Sequence, residues 1–289
     1  MNQDQPLEFT GERFTPECVR EIWYEHYHRY AFALPLARGK RVLDAACGEG
    51  YGSKSLAAVA TSVLGVDIDA ATITHAQARY RDQTNLSFRS ADVTALDALP
   101  DASFDLITCF ETLEHVEAQE ALLAGFARLL TPSGLLLISS PDKAEYSDKR
   151  GFRNEYHVRE LYRDQLQALL AKHFPQVRLF AQKLLFQSAV WSLDDASQGF
   201  AAATSRDGEL ADGLAYPPLY YLAICSRQNL PPLPSLHLFG DAEESVYVHY
   251  NGEVRKNMAA GERIAELEQR VAELEQRPLR RWWWPWGSR

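Results

Sequence analysis

The stretch Arg41-Val-Leu-Asp-Ala-Ala-Cys-Gly-Glu-Gly-Tyr-Gly52 restricts the fold of this chain more than any other. Val42 and Leu43 read as the end of a buried strand, Asp44 closes it, and glycines follow at 48, 50 and 52. A glycine turn lets the backbone pass close to a ligand, because glycine has no Cβ and tolerates positive φ. Residues 53–60 then start a helix whose unpaired N–H groups face that ligand. Strand, tight turn and helix in this order mark a nucleotide-type site at the mouth of an open α/β sheet. A dinucleotide loop reads G-x-G-x-x-G. Counting from Gly48, its third glycine falls on Ser53, so that fingerprint is incomplete.

S-adenosylmethionine (SAM) is the other nucleotide such a loop suits. It carries a zwitterionic amino acid and a sulfonium but no pyrophosphate, so acidic residues such as Asp44 and Glu49 do not repel it. Asp44-x-x-x-Gly48-x-Gly50 resembles the first motif of the class I SAM-dependent methyltransferases. Later segments extend the resemblance. Ser62-Val-Leu-Gly-Val-Asp-Ile-Asp69 is an apolar strand ending in acids, and Asp67 lies 19 residues after Gly48, where a carboxylate accepts the ribose hydroxyls. Ser90-Ala-Asp-Val93 looks like the family's third motif, which gives Asp92 the adenine amino group. Residues 103–116 look like the fourth strand and its exit loop, and 129–140 like a turn and the fifth strand. The resemblance implies that Asp44, Ala45, Gly48, Gly50, Tyr51, Asp67, Ile68, Asp92, Val93, Phe110 and Glu111 line the cofactor site.

The wider pattern agrees. Strands at 41–45, 62–67, 86–89, 104–110 and 134–140 alternate with helices at 52–60, 70–82, 117–130 and 158–173, after a helical stretch at 21–36. This rhythm predicts a Rossmann-like α/β fold, a mostly parallel sheet with helices on both faces. Segments 176–188 and 219–225 are late apolar runs that, by the resemblance, form the antiparallel hairpin completing seven strands. Residues 194–216 between them, rich in Ala, Gly, Asp and Ser, read as a surface insertion or lid. The predicted methyltransferase domain is 1–230, with its core at 38–190, and 231–289 is a C-terminal extension.

The extension opens on Pro231-Pro-Leu-Pro234, and Ser245-Val-Tyr-Val-His-Tyr250 reads as a short β-like piece. Over 262–276, Ile264, Leu267, Val271 and Leu274 follow the 3-4-3 spacing of a coiled-coil seam, for a second copy or a docked partner; a solvated helix on its own domain is the plainer reading. Residues 277–289 hold four tryptophans and four arginines. Tryptophan favours membrane interfaces and arginine anionic headgroups, so this tail reads as a peripheral membrane contact, against a partner-binding peptide or a packed segment.

Composition excludes other classes. A net charge of −9 makes the bulk surface no general binder of nucleic acid. Cys18, Cys47, Cys109 and Cys225 have neither zinc-site nor disulfide spacing. The first residues are polar without an apolar h-region, and no run is long enough to span a bilayer, so a cytoplasmic chain is expected.

Methyl transfer to an alcohol needs alignment and removal of a proton. Glu111-Thr-Leu-Glu-His115 follows the fourth strand, and Arg153-Asn-Glu-Tyr-His-Val-Arg-Glu160 lies beyond the fifth. His115 and His157 are the candidate bases, the alternative for each being a structural hydrogen-bonding role. Glu111, Glu114, Asp142 and the histidines are hard ligands without a tight motif, so metal independence is expected. Tyr24, His28 and Arg29 on the preceding helix reach either the methionine carboxylate or the acceptor, unless that helix only packs on the sheet.

Thr10-Gly-Glu-Arg-Phe-Thr-Pro-Glu17, Glu25-His-x-His-Arg-Tyr30, Ala46-Cys-Gly-Glu-Gly-Tyr-Gly-Ser53 and Asn154-Glu-Tyr-His157 together resemble the bacterial methyltransferases of cell-surface polysaccharide (O-antigen type) assembly, over residues 8–226. The resemblance implies O-methylation of a sugar hydroxyl on a polysaccharide or lipid-linked glycan, as a chain-end cap. Tyr24, His28, Arg29, Glu114, Asn154 and Tyr156 then fall on the acceptor side. A glycosyltransferase partner and a place on the inner face of the cytoplasmic membrane fit the extension. An O-methyltransferase of a small amphiphile, such as a quinone precursor, is the alternative; a non-enzymatic scaffold is opposed by the intact Asp44, Gly48, Gly50, Asp67 and Asp92.

Overall fold

A computed structural model describes residues 21–151, 153–190, 201–206 and 209–276. The chain divides into two compact units, 1–239 and 240–289. The first contains helix α1 (Glu21–Ala37), β1 (Arg41–Ala45), α2 (Tyr51–Ala57), β2 (Ser62–Asp67), α3 (Ala70–Arg79) and β3 (Leu86–Ser90). It continues through β4 (Phe104–Cys109), α4 (Gln119–Leu129), β5 (Leu130–Pro141), α5 (Arg163–Ala171), β6 (Gln176–Gln182), β7 (Ala203–Arg206), β8 (Glu209–Asp212) and β9 (Tyr220–Ser226).

Seven strands form one sheet in the order β3-β2-β1-β4-β5-β9-β6, and β7 and β8 form a separate antiparallel pair. β1 to β5 run parallel, while β9 lies antiparallel between β5 and β6. Side chains alternate across the sheet, and both faces are covered. Val42, Leu106 and Leu137 enter a core with Phe32, Ala33 and Leu56 of α1 and α2. Their neighbours Leu43, Ile107 and Leu136 enter a second core with Leu122 and Phe126 of α4 and Leu166 of α5. Burial on both faces is why these strands read as continuous apolar runs.

From β1 the chain winds outward to β2 and β3, then returns to β4 on the other side of β1. The crevice at such a reversal is where open α/β sheets bind ligands. Two non-glycine residues there take left-handed φ, Ala46 at 58° after β1 and Glu111 at 48° after β4. Backbone strain of this kind gathers at functional sites.

Three expectations are corrected. The strand predicted from 134 begins at Leu130, directly after α4, with a register shift between Phe104 and Leu106. The helix predicted at 158–173 is shortened to Arg163–Ala171, because the amides of Val158 and Arg159 bind the Glu114 carbonyl and Leu161 bridges to Asp142. The β-like piece 245–250 is helical. It opens α6 (Ser245–Glu275), 31 residues long, which contains most of the predicted 262–276 segment. Ile264, Leu267, Val271 and Leu274 are about half exposed on α6. The 194–216 insertion carries β7 and β8 within its described part. The motif at 10–17, Cys18 and the Trp/Arg tail lie outside the described residues. Cys47, Cys109 and Cys225 are free and buried. Among the described residues no helix is long and apolar enough to cross a membrane.

Candidate active site

The glycine loop stands on a buried carboxylate. Asp44, 1% exposed, accepts Ser53 Oγ at 2.6 Å, Thr108 Oγ1 at 2.7 Å and Tyr30 OH at 3.2 Å. Burial pushes its carboxyl up to about 6 against the pull of these three donors. Asp44 thus ties α1, the glycine loop, α2 and β4 together. Gly52 fits the same brace: a Cβ there would sit 1.9 Å from Tyr30 Cζ. Gly50 is left-handed at φ 80°, and its Cβ would come within 2.5 Å of the Phe88 ring.

Above the loop the backbone is open. Gly48 has φ 52°, and a Cβ there would meet nothing within 4 Å. Asp67, at the end of β2, accepts the Gly48 amide at 2.9 Å and the Asp69 amide at 3.0 Å. An ionised carboxylate has about four acceptor positions, so capacity for two ribose hydroxyls remains. Ile68 beside it is 72% exposed, an apolar side chain suited to the face of a base. Asp92 accepts the amide and hydroxyl of Thr94 through Oδ1. Ala45, Tyr51, Val93 and Phe110 are buried around this loop and β4. A bare left-handed glycine, a carboxylate at the second strand end and an exposed isoleucine fit SAM. Gly48, Asp67 and Ile68 would hold it, with Asp92 toward the base.

At the end of β4, Glu111 joins a second buried cluster. Its amide donates to Ser139 Oγ at 3.0 Å, and that hydroxyl donates back to Glu111 Oε1 at 2.6 Å. Arg29, 1% exposed, approaches Glu111 at 3.3 Å, donates to Gln182 Oε1 at 2.8 Å and lies 4.7 Å over the Tyr220 ring. Glu25 belongs to this group: burial, with Glu111 adding and Arg29 opposing, pushes its carboxyl up to about 7. Glu25, Ser139, Gln182 and Tyr220 are absent from the predicted site. Glu25 lies within the quoted 25–30 motif, whereas Tyr220 and Gln182 arrive on distant strands with no local signal.

The two candidate histidines meet, with ring centroids 4.8 Å apart and planes at 88°. His115 Nδ1 lies 3.0 Å from the Tyr156 carbonyl, and His157 Nδ1 lies 2.5 Å from Glu160 Oε1. Tyr146 stacks on His157 at 5.4 Å. Asn154 accepts the Tyr156 amide at 3.0 Å, which shapes the turn carrying His157. Glu114 is 1% exposed, and burial, with Glu111 adding, raises its carboxyl above the usual range. Glu160, three residues after His157, was legible as an orienting partner and missed.

Beside Glu25 and Arg29 opens a cavity of about 310 Å³ walled by Tyr24, Phe180, Leu184, Tyr216 and Phe239. His28 is on its wall, 3.0 Å from His237, and burial with that neighbour lowers its ring to about 4. The structure thus places Tyr24, His28 and Arg29 at one cavity, and Glu114, His115 and His157 in a second cluster after β4 and β5.

The strand order and the crevice at its reversal define a Rossmann-like α/β fold. Residues 43–138 match the sequence profile of a family described as methyltransferase domain. A Mycobacterium tuberculosis protein described as a probable S-adenosylmethionine-dependent methyltransferase is 36% identical over 167 residues, 57% of this chain and 60% of that protein. A ubiquinone biosynthesis O-methyltransferase of Albidiferax ferrireducens is 33% identical over 131 residues, 45% of this chain and 49% of that protein. The fold is shared with a chain of the Haloferax volcanii complex of a methyltransferase activator and a methyltransferase, at TM-score 0.51 and 16% identity, covering 72% of this chain and 90% of that one. The present chain spans about 60% of the length of the first of these relatives. Residues 43–138 thus match a methyltransferase domain, and the Mycobacterium tuberculosis relative is described as S-adenosylmethionine-dependent.

Proposed function

We propose that this chain is an O-methyltransferase acting on a sugar hydroxyl of a bacterial cell-surface polysaccharide or lipid-linked glycan, at the chain end. The observation that carries the reading is the pairing of His115 and His157, each fixed through Nδ1, at the exits of β4 and β5. SAM, which Gly48, Asp67 and Ile68 would hold, would supply an activated methyl group for transfer to the acceptor oxygen. The chain's own part is to place that oxygen and release its proton. The imidazole pair is positioned to activate the hydroxyl, and Glu160 and the Tyr156 carbonyl hold the rings for it. Arg29, clamped by Glu111, Gln182 and Tyr220, keeps the wall between the two clusters rigid. Tyr24, Tyr216 and Phe239 offer faces on which a sugar's C–H groups pack.

A small amphiphilic acceptor, of the quinone-precursor kind, is the second reading. The largely apolar cavity walls favour it, as does the 33% identity to a ubiquinone biosynthesis O-methyltransferase. In either case we read the seam on α6 as docking a second copy or a glycosyltransferase, and the Trp/Arg tail as holding the protein at the inner membrane surface. The test is incubation with methyl-labelled SAM and two acceptor panels, synthetic cell-surface oligosaccharides and hydroxylated aromatic amphiphiles. Label in a glycan is the expected result; label confined to the amphiphiles overturns the glycan reading in favour of the second.

A further inference from the structure

We propose that Glu114, His115 and His157 bind one divalent metal ion. One ligand atom from each residue lies within 4.8 Å of those of the other two, the separation a single ion bridges. The hydrogen bonds around the trio select the donor atoms. A carbonyl only accepts, so His115 Nδ1 donates to Tyr156, and His157 Nδ1 donates to the Glu160 carboxylate. Each neutral ring then carries its lone pair on Nε2. An imidazole whose far nitrogen donates to a carbonyl or carboxylate is the arrangement that surrounds metal-bound histidines, where it sets both tautomer and ring orientation.

The third ligand carries the argument furthest. Glu114 is 1% exposed, and neither carboxylate oxygen has a hydrogen-bond partner. His115 Nε2 lies 3.9 Å from Glu114 Oε1. A buried carboxylate without a partner is costly, and it is neutralised by a proton or by a cation. Its surroundings are built to hold it still: the Glu114 carbonyl accepts the amides of Val158 at 2.8 Å and Arg159 at 2.9 Å. Those two bonds lock the His157 turn onto the His115 turn, so all three ligands belong to one rigid unit although His157 is 42 residues from His115.

Two imidazole nitrogens and one carboxylate oxygen suit manganese, iron, cobalt or zinc better than magnesium or calcium, which prefer all-oxygen sites. Three protein ligands leave positions open for the acceptor hydroxyl, which becomes more acidic on the ion and releases its proton to solvent. The imidazole pair then activates the hydroxyl through the ion it holds, which deepens the role proposed for it above. This role rests on the reading of the cluster as the acceptor end; the binding of the ion does not.

The experiment uses the full chain, stripped with a chelator and titrated with Co²⁺ in the absence of acceptor. Expected are one Co²⁺ per chain with the visible absorption of nitrogen-ligated cobalt, and two hyperfine-shifted exchangeable imidazole N–H signals, one from each Nδ1. His157→Ala and Glu114→Gln are each expected to weaken binding about tenfold or more, while SAM affinity, measured in parallel, reports that the domain is folded. Absence of the two N–H signals in the wild-type protein overturns the site, as does cobalt binding that folded variants leave unchanged. Because no acceptor is present, this failure is separate from a failure to label a glycan.

Discussion

Replacing Thr108 by Val removes one hydroxyl from beneath the glycine loop and nearly preserves side-chain volume. Thr108 is fully buried, and its Oγ1 donates to Asp44 at 2.7 Å. A hydrogen bond to a charged group contributes about 1.5–3 kcal/mol, and one between neutral groups about 0.5–1.5 kcal/mol. Burial holds the Asp44 carboxyl at about 6, whereas in the unfolded chain it titrates near 3.9. Between those values the native state keeps a proton that the unfolded state has lost, so stability falls as pH rises through this window and levels off above it. The hydroxyl favours ionised Asp44, so its removal raises the native carboxyl further and extends the decline upward. Thr108→Val should therefore cost about 2 kcal/mol near pH 8 but only about 1 kcal/mol near pH 5, where the native carboxyl is protonated. Urea unfolding at both pH values, read as a midpoint shift at constant slope, measures this difference. An equal loss at the two pH values, or a larger one at pH 5, would show that Asp44 does not carry the charge assigned to it.

Three further outcomes follow from the geometry. Asp67→Ala should weaken SAM binding about tenfold or more by calorimetry, and an unchanged affinity removes the ribose assignment. Gly52→Ala drives a Cβ into Tyr30, 1.9 Å from Cζ. It should destabilise by about 1–3 kcal/mol, the range for an overfilled core, and a wild-type denaturation midpoint contradicts the contact. Deleting residues 262–289 should abolish co-sedimentation with anionic vesicles and leave turnover on a soluble acceptor intact; lost turnover would place the extension in the catalytic unit.

The sheet was legible because its strands are buried on both faces and so appear as apolar runs ending in acids, as at Leu43-Asp44 and Val66-Asp67. The 245–250 segment misled because its Val and Tyr residues favour strands, while a continuous 31-residue helix overrides that local preference. The proximity of His115 and His157 was not legible, since it depends on two backbone amides closing on the Glu114 carbonyl. Nor was the burial of Arg29, whose partners Gln182 and Tyr220 come from the last two strands of the sheet. Asp44 was legible as part of the loop but not as its foundation, because Tyr30, Ser53 and Thr108 reach it from three separate elements.

The segment between β6 and β9 leaves the sheet at Gln182 and returns at Tyr220, and these two residues are register partners. To the sheet, residues 183–219 are a closed hairpin end whatever their length or content. Each doubling of a flexible loop adds only about 0.6 kcal/mol of closure cost. The same segment supplies Leu184, Leu214 and Tyr216 to the cavity wall. If the cavity takes the acceptor as proposed, acceptor choice is housed in a cassette that can be exchanged, by drift or by grafting, while the parallel half of the sheet keeps its register.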